Sequence, residues 1–363
     1  MAAKKKLKSK NKSKYKYKYR RRNYNNANTK LLIIVTFFSG VLLIISSYAW
    51  LSASLNVKIK FFDLVVSTDN GLFISLDGIH FSDSIEISNE SLITDLKDIY
   101  PTNTNQWSTS GLWPVSSNGI RNSDMDKFDV YRGEVSRFKL KTKNRRFLNT
   151  KLIEEDRSTP LNIYIAFDLF LKNVSGSPKS DNLYLDEGTV ADFDESTIDE
   201  IKDSMINIIN SMRFGFIKIG STSSKSDVNT IQNLKCNNKC EMIIYEPNST
   251  SHSYASMLSA IEHGIILDEG VYTPTYAVIT DGEQLEYTSG QEGTGIPLDT
   301  EHFKLQNTVK NFDDPIFQIP NGITKLRAYV WIEGQDIDSL ETSSEGAIIN
   351  VAINFVKDLA GYY

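Results

Sequence analysis

Residues 31–51, LLIIVTFFSGVLLIISSYAWL, run for 21 positions without a charge, and no other stretch limits the architecture as much. A helix of that length rises about 30 Å, the thickness of a bilayer's hydrocarbon core. The charge-free run continues to Val57, which leaves slack for tilt. The expectation is a transmembrane or signal-anchor helix over residues 31–54, in contact with membrane lipid. It divides the chain into an arm at 1–30 and an extracellular β domain at 55–363.

The flanking charge orients the span. Residues 1–30 carry 13 Lys or Arg and no Asp or Glu. Cytoplasmic flanks collect such cations, so the arm is expected inside and the C-terminal domain outside, in a single-pass protein of the cell membrane. The arm has almost no aliphatic residues and cannot bury a core, so it is expected to be disordered. Its Lys-Tyr repeats between Lys14 and Tyr19 offer phosphate contacts and stacking faces. A basic run abutting an apolar span is nonetheless better read as a lipid-headgroup contact, and no nucleic-acid partner is expected. Secretory apolar regions run about 7–15 residues, shorter than this one. Small residues do follow it (Ser46, Ser47, Ala49, Ser52, Ala53, Ser54). Cleavage, with release of a secreted domain, and retention of the anchor both stay open.

Composition bounds the remainder. The net charge is −5, and setting aside the arm's +13 leaves −18 for residues 31–363. An acidic domain of that size has ample length for a core and is a poor match for nucleic acid. Residues 55–66 alternate like a strand. Turn dipeptides at Asn70-Gly71 and Asp77-Gly78 bracket a short strand at 72–76 and suggest hairpins. Residues 101–126 read as a polar surface loop pinned by Trp107 and Trp113. The clearest strand is 161–172, LNIYIAFDLFLK, whose Ile163, Ile165, Phe167, Leu169 and Leu171 share a face at period two. Strong strands at 325–333 and 347–357 close the chain, with Trp331 and the 349–355 face expected in the core. One main amphipathic helix is expected at 197–212. Thr197 and Glu200 form a capping box, and Ile198, Ile201, Met205, Ile208, Ile209 and Met212 recur at helical spacing. The fold class expected is mainly β, a jelly-roll-like β-sandwich behind a single N-terminal transmembrane helix.

Three features could carry chemistry. Arg137, Lys139, Lys141, Lys143, Arg145 and Arg146 form a basic patch that could meet an anionic polymer such as a teichoic acid, or be a solvated strand face. Cys236 and Cys240 could form a disulfide outside the cell, stay as free thiols, or join a metal site, although no His lies near enough to complete one. Asp192, Asp194, Glu195 and Asp199 suit a helix N-terminus or calcium, but match no EF-hand spacing. The four His (His80, His252, His263, His302) form no H-E-x-x-H pair. There is no G-x-S-x-G elbow or phosphate loop. No catalytic residue, cofactor or metal ligand is assigned, and the protein is read as not an enzyme.

Several segments resemble a group of mostly uncharacterised exported proteins of Gram-positive bacteria. They are Tyr48-Ala49-Trp50, the run GLFISLDG at 71–78, Trp113-Pro-Val-Ser116, the run AFDLFLKN at 166–173, Tyr245-Glu-Pro-Asn248 and the run YVWIEGQD at 329–336. Members often carry Cys where this chain has Ser339, and the basic arm here is long. The group's apolar N-terminal segments are similar to those of the TasA and camelysin biofilm proteins, which an ER-type signal peptidase releases. That likeness implies a jelly-roll sandwich and a structural or adhesive role at the cell surface or in an extracellular matrix, with self-association or other surface proteins as partners. The alternatives are a membrane-tethered envelope hydrolase and a binding module for an anionic wall polymer.

Overall fold

The computed structural model describes residues 60–68, 71–108, 111–117, 119, 127–139, 144–153, 163–176, 178–194, 208–237, 240–247, 276–278, 284–286, 303–305, 308–309, 312–334, 336 and 348–358. The arm at 1–30 and the apolar run at 31–54 lie outside them. No helix among the described residues is long and apolar enough to cross a membrane.

The domain is mainly β, as the alternating segments predict. Its strands are β1 (Lys60–Thr68), β2 (Leu72–Ser75), β3 (Ser84–Ile87), β4 (Pro114–Val115), β5 (Val130–Lys139), β6 (Asn144–Ile153), β7 (Ile165–Asn173), β8 (Asp181–Leu185), β9 (Val190–Phe193), β10 (Met212–Thr222), β11 (Met242–Tyr245), β12 (Tyr276–Val278), β13 (Gln284–Glu286), β14 (Phe303–Leu305), β15 (Phe317–Ile319), β16 (Gly322–Glu333) and β17 (Ile348–Asp358). One six-stranded sheet runs β15-β8-β17-β1-β3, with β9 also on β17. A second runs β11-β10-β16-β7-β2, with β4 also on β16. A three-stranded sheet, β13-β6-β5, and the pair β12-β14 complete the set.

The two large sheets share one core. Leu64, Val66, Ile349, Val351, Ile353 and Phe355 of the first pack with Phe167, Leu169, Phe214, Phe216, Leu326 and Val330 of the second. Phe216 and Phe355 meet across the interface with ring centroids 5.5 Å apart. β17 alternates buried and half-buried residues, as a strand with one wetted face should. β16 is buried at every position because its sheet is covered twice. Its other face carries Tyr329 and Trp331 into a second cluster with Phe128, Tyr164, Ala166, Ile217 and Ile219.

Two expectations need correction. β1 and β2 do not form a hairpin across Gly71: β1 pairs with β17 and β3, while β2 pairs with β7. The turn therefore carries the chain from one sheet to the other. Both strands bury one apolar face, and the common core takes both only if they lie on opposite sides of it. A hairpin-like return does occur at the second turn, where Ile74 and Ser82 exchange backbone hydrogen bonds of 2.8 and 2.9 Å. The helix expected at 197–212 is described only from Ile208 to Asn210, which are helical; residues 195–207 lie outside the described set. Met212 already belongs to β10, pairing with Ile332, so tertiary pairing overrides the helical spacing there. A short helix, Val228–Gln232, was not foreseen; Asp227 caps it by accepting from Thr230 N at 3.0 Å.

Candidate functional site

β7 and β16 are paired so that Arg327 lies directly opposite Asp168, with Lys325 two residues along β16 opposite Phe170. The three charged side chains share the face that looks away from the main core. All are buried, with Asp168 5% and Arg327 2% exposed. Arg327 Nη1 donates to Asp168 Oδ1 at 3.1 Å and Nη2 donates to Thr104 O at 2.8 Å. Lys325 Nζ lies 3.1 Å from Asp168 Oδ2 and donates to Tyr100 Oη and Gln232 O at 2.8 and 2.9 Å. Tyr100 Oη donates to Asp168 Oδ2 at 2.6 Å.

Burial by itself would raise the Asp168 carboxyl. Lys325 and Arg327 outweigh it, with the Tyr100 hydrogen bond, and hold it down at about 2. Burial and the Asp168 charge push the Tyr100 phenol upward, so it stays a neutral donor. This network floors a recess of about 130 Å³ whose wall includes Thr102, Lys127, Asn233 and Lys235. Chemically, Asp168 is a fixed counter-ion. Both its oxygens already accept hydrogen bonds, and a carboxyl that titrates near 2 is a weak proton acceptor at neutral pH.

A second buried ionic cluster lies at the end of β16. Arg213 is fully buried and donates through Nη1 to Asn210 O and Met212 O at 3.0 and 2.9 Å. Its Nη2 pairs with Asp336 and, at 3.3 Å, with Glu246 Oε1. Burial would lower the guanidinium's pKa; Glu246, Asp336 and Glu333 more than reverse that, so it stays charged. Trp331 Nε1 donates to Glu333 Oε2 at 3.2 Å, and Gly334 N to Val115 O at 2.8 Å. Glu246 and Asp336 therefore meet on one arginine, and Val115 joins the same end of β16 through Gly334. A third cluster ties the two large sheets together. Lys357 Nζ of β17 donates to Asn173 Oδ1 of β7 at 2.6 Å, and Asn173 Nδ2 donates to Asp181 Oδ2 of β8 at 2.9 Å. Among the described residues, no group of acidic, His or Cys side chains could hold a metal ion.

The residues singled out from sequence fall elsewhere. Cys236 and Cys240 are joined by a disulfide with Cα atoms 5.7 Å apart, and Cys240 packs against the second cluster. Arg137 and Lys139 lie in β5, and Arg145 and Arg146 in β6, with Arg137 opposite Arg146. Lys141 and Lys143 lie outside the described residues. Of the acids considered for calcium, Asp192 is on β9 and Asp194 follows it, while Glu195 and Asp199 lie outside. Trp107 is buried, and Trp113 is half-buried under Arg132, whose guanidinium is 4.9 Å from the ring centroid. The Asp168, Arg213 and Lys357 networks escaped sequence reasoning. The one available signal was a charge inside an otherwise apolar strand, as in AFDLFL and KLRAYVWIE. No protein-family model, curated protein or solved structure matches the chain.

Proposed function

We propose that this chain is a single-pass surface protein with a structural or adhesive, non-catalytic role, tethered through residues 31–54 or released into an extracellular matrix. The charge-free span and the one-signed arm support the location. The resemblance to exported Gram-positive proteins and, more distantly, to the TasA and camelysin group supports a jelly-roll sandwich. The observation that carries the non-catalytic role is the use made of buried charge. Asp168, Arg213 and Lys357 are each bonded to other segments of the fold itself, the pattern of an internal brace. Assembly has a physical route as well. The two large sheets run out to β3, β15, β11 and β2, and a strand edge templates another chain through its backbone groups.

The test uses the full chain in a Gram-positive host. Protease added to intact protoplasts is expected to remove the β domain and spare the arm, and electron microscopy is expected to find the chain in surface or matrix assemblies. Protection of the domain from external protease would refute the location. A dispersed protein that cleaves peptide or glycan would refute the role.

A further inference from the structure

The recess above Asp168 is lined by an excess of cations. Lys127 and Lys235 join the buried Lys325 and Arg327 there, and among the described residues that line it Asp168 is the sole acid. The chain beyond the arm has the opposite balance, with 45 Asp or Glu against 40 Lys or Arg, of which the arm takes 13. The four cations come from separate parts of the chain. Lys325 and Arg327 lie on β16. Lys127 precedes Phe128, whose backbone N–H donates to Tyr329 Oη at 3.2 Å. Lys235 follows the Val228–Gln232 helix on a segment laid against β10, where a Cβ at Gly220 would sit 3.7 Å from Lys235 O. The Cys236–Cys240 disulfide begins at the next residue.

The floor is bonded to itself. Asp168 accepts from Arg327 and Tyr100, and its single charge faces both Arg327 and Lys325, which leaves one cation in excess at the bottom. Lys325 keeps 10% of its side chain exposed. Above it Lys127 is half-buried and Lys235 exposed. Buried ion clusters add little to stability compared with apolar packing, so the fold alone gives weak reason to draw further cations over this one. Cations gathered in a concave, partly desolvated place attract anions. The walls also stand ready. Thr102 Oγ1 donates to Asn233 Oδ1 at 3.3 Å, and Asn233 Nδ2 donates to Asn229 O at 2.9 Å, so a ligand would have little to order on arrival.

We propose that this recess binds a small organic phosphate, a phosphomonoester dianion on a short polyol body. A phosphate is favoured over a carboxylate by the kind of cation on offer. Planar carboxylates are best held by an arginine fork, and the fork of Arg327 is engaged by Asp168, Asn105 and Thr104 O. The cations nearest solvent are lysines, which act as point charges and suit a compact dianion. A short body is favoured because the recess holds about 130 Å³, below the roughly 300–1,000 Å³ of sites for drug-sized ligands. A polyol is favoured because Thr102 and Asn233 can meet hydroxyl groups while Ile219 and Leu234 pack against carbon. The inference does not depend on assembly or on whether the anchor is kept.

The test places the full chain in zwitterionic nanodiscs and titrates it by calorimetry with glycerol 3-phosphate and with glycerate, which carries a carboxylate on a similar body. The arm is present throughout, so differences between variants report on the recess. Glycerol 3-phosphate is expected to bind more tightly than glycerate, and more tightly as the phosphate gains its second charge around pH 6. The variant K127Q/K235Q is expected to lose about tenfold or more in affinity, the worth of one charge-assisted contact. Acetylation of the unaltered chain gives a readout that needs no variant: glycerol 3-phosphate is expected to protect Lys235 and to leave the exposed Lys97 and Lys225 reactive. Unchanged affinity in the variant, or equal acetylation of Lys235 with and without glycerol 3-phosphate, would overturn the site. Glycerate binding as tightly, or an affinity for glycerol 3-phosphate that stays flat through its second ionisation, would overturn the assignment of the ligand.

Discussion

At the residue scale, Asp168 matters because two buried cations depend on it. Asp168→Asn leaves Lys325 and Arg327 buried beside a neutral amide, and the expected loss is about 3–5 kcal/mol in urea denaturation. The pH dependence has a definite sign. The folded carboxyl titrates at about 2, below the unfolded value of about 3.9. Its contribution is therefore complete above about pH 4 and disappears as pH falls toward 2. The Asn variant should show a shallower loss of stability than the parent over that interval. Trp331 is 1% exposed and anchored through its indole N–H to Glu333, so Trp331→Ala should cost about 3–5 kcal/mol; an unchanged melting temperature would contradict its burial. Gly322 opens β16 at φ +136°, and a Cβ there would lie 2.3 Å from Thr222 O. Gly322→Ala should lower the melting temperature, since the clash is with backbone.

At the element scale, β16 and β17 carry the two large sheets. β16 pairs with β10, β7 and β4, and β17 with β1, β8 and β9. β17 is the last of the described strands yet lies parallel to β1, so the first sheet closes only after the other described strands have been made. A chain truncated before Ile348 should therefore lack a cooperative thermal transition. The β5–β6 hairpin carries an opposite expectation: Arg146→Glu replaces a like-charge cross-strand pair with an ion pair, and should raise stability by about 0.2–1 kcal/mol. The disulfide between Cys236 and Cys240 closes a short loop, and the double Ser variant should lose about 2 kcal/mol on chain-entropy grounds.

At the scale of the whole molecule, the described domain is a two-sheet β structure braced by ionic clusters placed where strands from distant parts of the chain meet. Lys357 and Asp181 lie in one large sheet and Asn173 in the other. Asp168 and Arg327 are 159 positions apart, and Arg213 and Asp336 are 123 apart. Such contacts order long loops before they reward the chain, so refolding from urea should be slow, in the range of milliseconds to seconds or longer, as a stopped-flow fluorescence trace of the four Trp would register.

What the sequence determined by itself is whatever depends on near neighbours. Period-two alternation over 349–355 marks a strand and its buried face, because each residue's environment there follows from its parity; at 165–171 it marks the strand, while both faces are buried. The turn at Asp77-Gly78, where Gly78 has φ +74°, was legible for the same reason. Local signals did not say which strand pairs with which. Turn residues at Gly71 fit a hairpin as well as a passage between sheets, and only the shared core, which needs β1 and β2 on opposite sides, decided for the passage. The helical spacing holds at 208–210 and gives way only at Met212, which pairs with Ile332. The site lay beyond sequence reading because a charged residue in an apolar strand looks the same whether it faces water or a partner. Asp168 became a paired, buried counter-ion only when the register of β7 against β16 brought Arg327 opposite it.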